Sequence, residues 1–302
     1  MHIMSTPHLI DVKNIRQVSS DLLEEWLFDM AKKNQERISS ANSLELEWSS
    51  DVAEFIFNTC EYFKLDSGVK YSALEIYERF LAYHVLELHR SVKDRQETDK
   101  PLSWEVIEGR ITEQTILRVL TSIELASKLN SHYEHIMPSQ VVEFLEKTGG
   151  KVYGKTGICN SEIRVMKTLN YKLNVSNPAL YVEMLLCVLY TNDPNTDDFL
   201  YPSAIIVMDL VYLNRKKIYD RLYEVVTGMP VMENNENETF VKIKADYMLL
   251  AVSIIAAGAH IVMKDNWSTI LEQLHQVTRI LSKDIKSFSL VIVDVLSAIL
   301  DQ

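Results

Sequence analysis

The sequence predicts an all-α protein, built as two tandem five-helix units behind an N-terminal helix. Three observations predict it. Apolar residues recur at three- and four-residue spacings along most of the 302 residues, the period of helices buried on one face. Only 8 glycines and 7 prolines occur, and most fall between periodic segments instead of inside them. No stretch alternates apolar and polar residues between turn signals, as a half-buried strand would.

The elements follow in order. A first amphipathic segment starts near Asp21 and carries Leu23, Trp26, Leu27, Met30, Ala31 and Ile38 on its apolar side. Asp21 and Glu24 have the spacing of a capping box. The next segment puts Val52, Phe55, Ile56, Thr59, Cys60 and Phe63 on one face and stops before Ser67 and Gly68. A third stripe runs through Tyr71, Leu74, Tyr77, Leu81, Val85 and Leu88. Over 91–103 the pattern gives way to charged residues and Pro101, which predicts a solvated insertion.

Periodicity resumes with Ile111, Ile116, Val119, Leu120, Ile123 and Ala126. A short helix after Pro138 ends at Gly149 and Gly150, and another spans about 158–169. Asn177 then offers a cap, with Pro178 at the first helical position. The domain boundary is therefore placed just before it. Residues 1–47 form an N-terminal segment and helix, 48–176 a first unit with its insertion at about 91–103, and 177–302 a second, divergent unit. In that second unit five helices are expected, near 178–190, 200–213, 241–263, 267–279 and 283–300, with 230–238 as an acidic, Asn-rich loop. The two units make an internal duplication of architecture.

Composition narrows the function. Acidic residues number 42 against 31 basic ones, a net charge of −11, which repels phosphate backbones and argues against direct nucleic-acid binding. A protein partner is expected. The longest apolar run, MLLAVSIIAAGAHIVM over 248–263, is too short and interrupted for a membrane span and reads as a buried helix. The first residues carry neither a long apolar nor an Arg-rich amphipathic stretch, so no secretory or mitochondrial address is expected and the protein reads as intracellular. Cys60, Cys159 and Cys187 are odd in number, far apart and outside any CxxC pair, which predicts reduced core thiols. His132 and His135 lack accompanying ligands, and His84, His260 and His275 stand alone on helices, so no metal is expected. With no Ser, His and Asp grouping on an elbow motif, neither catalysis nor a cofactor is expected.

One motif offers a different reading. GGKVYGKT, 149–156, satisfies the phosphate-loop pattern, in which Lys155 would meet phosphates and Thr156 magnesium. LVIVD, 290–294, imitates the apolar strand and Asp that such sites use. However, Val141, Phe144 and Leu145 upstream have helical spacing, where the motif requires a strand. The segment reads as a turn between helices, with nucleotide binding as the weaker alternative.

EYFKLDSGVKYSALEIYERFL (61–81), LASKLN (125–130) and SEIRVMKTLNYKLNVSNPALYVEML (161–185) together resemble the cyclin family. In order, they are similar to the junction of the first two helices of a cyclin box, its third helix, and its fifth helix with the crossing into a second box. The resemblance covers about 48–300. It implies a kinase partner instead of catalysis. Cyclins carry a Lys at the end of the third helix and a Glu near the start of the fifth, which hold backbone groups of a cyclin-dependent kinase, and these align with Lys128 and Glu162. Leu125, Leu129, Met166, Tyr171 and Leu173 would supply the apolar surface around them. An ammonium beside a carboxylate offers a donor and an acceptor to an extended segment.

Three features depart from the family pattern. Ser49 stands where an Arg of the substrate-docking signature would, in WSSDVAEFIF from Trp48, Asn130 and Ser131 replace the acidic pair that commonly follows the Lys of the third helix, and the second helix is extended by the insertion through Ser103. The whole chain, including AKKNQERISS, MDLVYLNRKKIYDRL and DYMLLAVSIIAAGAH, is similar to the meiotic branch of the family, whose members act in crossover maturation. That implies a nuclear role on the chromosomes of meiotic cells, with recombination proteins as further partners. A kinase-independent assembly scaffold built on the same fold is the competing class.

Overall fold

The computed structural model describes residues 19–41, 49–95, 104–130, 135–149, 151, 153–174, 176–193, 196–230 and 238–300. Among them are 13 α-helices, one 3-10 turn and no strand. Two compact units form, one within 51–175 and the other from 176–302 together with the N-terminal helix.

The first unit holds five helices: α2 (Ser50–Tyr62), α3 (Ser67–Arg95), α4 (Trp104–Asn130), α5 (Pro138–Thr148) and α6 (Lys155–Thr168). α4 is the hub, packed against α3 and α6, with Leu120, Ile123 and Ala126 fully enclosed. Local chemistry sets the ends. Asp66 accepts a hydrogen bond from the Gly68 N–H at 2.9 Å as α3 begins. Pro138 opens α5, where its missing N–H costs nothing, and Gly149 closes it in the left-handed region at φ 69°, which glycine reaches without a Cβ penalty.

Two expectations change here. α3 continues through Arg95, into the stretch assigned to a solvated insertion, whose residues 96–103 lie outside the described ones. Lys and Arg are good helix formers, so the helix continues there without an apolar face in its sequence. Ile116 is exposed and Leu117 takes its place in the core.

The second unit gathers α1 (Ser20–Ser40), α7 (Pro178–Asn192), α8 (Leu200–Leu213), α9 (Arg215–Thr227), α10 (Glu238–Ala245), α11 (Tyr247–Val262), a 3-10 turn at Lys264–Asn266, α12 (Trp267–Thr278) and α13 (Ser282–Leu300). Asn177 caps α7, its side chain accepting from the Leu180 N–H at 3.1 Å as the sequence predicts. Seven helices follow Asn177 where five were expected. RKKIYDRLYEVVT forms the unforeseen α9, burying Ile218, Tyr219 and Leu222. The helix expected over 241–263 is two, bent by 65°.

The break at Asp246 has a tertiary cause. Its carboxylate accepts from the Leu249 N–H at 2.9 Å, a helix cap. Asn34 of α1 donates to that carboxylate at 2.8 Å and accepts from the N–H groups of Tyr247 and Met248 at 2.9 and 3.3 Å. The orphan donors of the new helix are thus satisfied by a side chain over 200 residues away, while apolar periodicity runs through the break unchanged. The Tyr181 hydroxyl donates to the Met30 carbonyl at 3.1 Å, and the Arg37 guanidinium lies 3.8 Å from the Tyr247 ring centre. α1 is fixed by these polar contacts, so its buried side is Leu23, Met30 and Asn34, while Trp26 and Ala31 are exposed. The Asp21–Glu24 capping box is absent, since the helix begins at Ser20 with no side-chain cap bond.

α11 is the hub of this unit, packed against α7, α8, α12 and α13. A Cβ at Gly258 would sit 3.1 Å from the Ala204 backbone nitrogen, so the close approach of α8 favours glycine there. Among the described residues no single helix is long and apolar enough to cross a membrane. Most of the expected 230–238 loop lies outside the described residues.

Candidate functional site

The site grows from the C-terminal half of α4, where an apolar face is interrupted by buried Thr121, Ser122, Glu124 and Ser127. Three of these four polar side chains bond back to the helix carbonyls: Thr121 to Leu117 at 2.7 Å, Ser122 to Arg118 at 2.9 Å and Ser127 to Glu124 at 2.8 Å. The Ser127 hydroxyl also accepts from the Ile136 N–H at 3.0 Å, tying down the chain after α4. Across to α6, Ser161 meets the Thr121 hydroxyl at 2.7 Å and accepts from Arg118 at 2.8 Å. Those bonds fix the register of α6 on α4.

That register brings Glu162 to Lys128, the basic residue of the last turn of α4, where the helix dipole favours a cation. The Lys128 ammonium donates to Glu162 Oε1 and, at 2.9 Å, to Glu124 Oε1. Burial works against the charged ammonium, but the bonds from Glu162 and Glu124 outweigh it and hold its pKa above the ordinary lysine value. Glu124 is fully enclosed. Burial raises its carboxyl pKa, Glu162 adds to the rise, and the Lys128 bond offsets it only in part. An ammonium has three donors; with two engaged, one remains, and the Lys128 side chain is 33% exposed.

The sequence-predicted pair is therefore brought together. Of the five apolar residues, Leu129 and Tyr171 are exposed, Tyr171 at 66%, and Met166 and Leu173 are half-buried. Leu125 is the correction: it is buried in the core and supports the site from within instead of lining its surface. α6 ends in a tight turn in which Asn170 and Tyr171 both take positive φ, 50° and 59°, and the Tyr171 N–H returns to the Met166 carbonyl at 2.8 Å. The turn throws the Tyr171 ring outward. Glu124 was missed by sequence reasoning. Its only signal is a lone carboxylate within the uncharged run LTSIELAS, four residues before Lys128, a spacing that normally marks a surface ion pair.

The remaining candidates separate from this site. Gly149 closes α5 and Lys155 opens α6, so GGKVYGKT joins two helices, and LVIVD lies inside α13. A phosphate loop needs a strand before it, and α5 occupies that place. Burial pushes the Cys60 and Cys187 thiols up to about 12, whereas Cys159 is exposed, correcting the expectation of three core thiols: Ile158 takes the inward position of that turn. His84 stacks on Phe80 with ring centres 5.1 Å apart. His132 lies outside the described residues, and among those described no three metal-ligating side chains gather. Ser49 is exposed, and Trp48 lies outside the described residues.

Comparison with known proteins gives the family of the chain. The family model "Cyclin, N-terminal domain" matches residues 17–174. The chain is similar to Cyclin N-terminal domain-containing protein 1 of Mus musculus, 32% identical over 291 residues, covering 94% of this chain and 86% of the relative. The Homo sapiens protein of the same name is 30% identical over 276 residues, covering 90% and 83%. The chain belongs to the cyclin N-terminal domain family, whose role is regulatory.

Proposed function

We propose that this cyclin-like regulatory protein is a non-catalytic subunit that binds a cyclin-dependent kinase through the edge formed by α4 and α6, and that it serves meiotic recombination by promoting crossover maturation. The observation that carries the kinase contact is the meeting of Lys128 and Glu162 at a partly exposed edge. One ammonium N–H and one carboxylate oxygen stand side by side there, the complement of a peptide C=O and N–H. Charged hydrogen bonds of this kind contribute about 1.5–3 kcal/mol each. Leu129, Met166, Tyr171 and Leu173 would exclude water around them. The subunit would act by favouring one conformation of the kinase, through binding that conformation more tightly.

Charge reversal tests the contact. Lys128→Glu or Glu162→Lys should reduce co-purification of cyclin-dependent kinases by at least about tenfold, as loss of a paired charge at an interface does. If both variants capture kinase as the wild type does, the contact is wrong; if the wild type captures none, the assembly scaffold is favoured. The meiotic reading rests on the resemblance of the whole chain to the meiotic branch, supported by relatives that match 94% and 90% of its length. A tagged protein should gather on the chromosomes of meiotic nuclei with recombination proteins. Exclusion from those nuclei throughout meiosis would end that reading.

A further inference from the structure

We propose that Glu124 is a positioning residue of the partner-binding edge: a buried carboxylate that, at a cost in stability, clamps the Lys128 ammonium against Glu162 so that a single N–H points outward. The inference deepens the kinase-contact reading and rests on it for the identity of the partner, but the clamp itself is a property of the free protein.

The geometry is specific. Glu124 is fully enclosed in the core of the first unit, yet its Oε1 reaches the Lys128 ammonium at 2.9 Å. Its Oε2 has no hydrogen-bond partner. A buried carboxylate with one oxygen unsatisfied is unfavourable, and an apolar side chain of similar size at such a place is often neutral or stabilising. Packing alone does not explain a glutamate between Ile123 and Leu125. Its bond to Lys128 does. Lysine ends in a flexible four-carbon stem whose point charge has no preferred direction; with Glu162 alone it would swing about one contact. Two carboxylates, one from α4 itself and one from α6, define two of three donor directions and thereby fix the third. The raised pKa of Lys128 agrees with an ammonium held by both.

A structural role and a positioning role differ in what Glu124→Met does. If Glu124 positions Lys128, the variant should melt at the same temperature or higher, because Lys128 keeps Glu162 and its exposure to water. It should also bind the kinase captured by the wild type about tenfold more weakly, the usual size of coupling between touching charged residues. Adding Lys128→Met should cost nothing more than Lys128→Met alone. Independently of any partner, Lys128 in Glu124→Met and in Glu124→Gln should react severalfold faster with an amine-acylating reagent, read at that residue by mass spectrometry, since the neutral amine is the nucleophile. Unchanged labelling in both variants overturns the clamp. So does a fall of Tm and binding in parallel, or unchanged binding where Lys128→Met abolishes it. If Lys128→Met itself leaves binding intact, the kinase-contact reading fails, and the labelling rate still decides whether Glu124 holds the ammonium.

Discussion

Each unit is built around one buried helix, and the two hubs differ in what they bury. α11 encloses Leu250, Ala251, Val252, Ile254, Ile255, Ala256, Ala257 and Ala259, with Ser253 as the polar member of this run, its hydroxyl bonded back to the Leu249 carbonyl at 2.7 Å. Small residues and Gly258 let neighbouring helices approach it closely. α4 is as deeply buried over Val119–Ser127, but four of those positions are polar, and they cross-link to α6 and reach Lys128. A hub committed to packing gains its stability from area and fit. A hub that keeps a buried carboxylate gives up part of that stability and gains a fixed charge at its edge.

Substitutions can break or sharpen this contrast. The largest effect belongs to α11: Leu250→Ala should destabilise the second unit by about 2–5 kcal/mol, read from its transition in denaturant, as truncation of a fully packed leucine does. Kinase capture by the protein that remains folded should be unchanged, the reverse of the pattern given for Glu124→Met. Should Leu250→Ala abolish capture below its melting temperature, the division of labour between hubs is wrong. Next is the polar anchor of α1 on the packing hub. Asn34→Ala removes the side-chain acceptor shared by the Tyr247 and Met248 N–H groups and should cost about 1–3 kcal/mol, measurable as a lower melting temperature of the same unit.

The smallest effect is a pH signature of the other hub. Burial raises the carboxyl pKa of Glu124 in the folded protein, so between the ordinary glutamate value and the raised one the folded state holds more protons than the unfolded chain. Stability then falls as pH rises through that window. Glu124→Gln removes the fall, and its melting temperature should decline less over that pH range than that of the wild type. Asp246, raised by burial in the same sense, contributes alike to both proteins, so the difference between them isolates Glu124. An identical pH profile would mean that Glu124 is not the buried charge its surroundings make it.

How much was legible follows from which interactions are local. The first unit's five helices, the cap at Asn177 and the stop at Gly149 were readable because each rests on neighbouring residues: apolar period, a side-chain acceptor, a left-handed glycine. α9 escaped because RKKIYDRLYEVVT is mostly polar, with only a narrow apolar stripe. Lys128 and Glu162 could be named from a resemblance, yet nothing in their own neighbourhoods showed that they touch. Leu125 and Leu129 look equivalent in the sequence; one faces the core and the other solvent.

By itself, then, the sequence determined an all-helical chain and the ends of most helices, because helical period and capping act over a few residues. Tertiary structure alone decided the break at Asp246, where Asn34 supplies acceptors from far along the chain, the exposure of Trp26, and the enclosure of Glu124 beside Lys128. Those outcomes depend on which side chains distant helices bring together. A periodic pattern encodes that a face is buried, and leaves open what it is buried against.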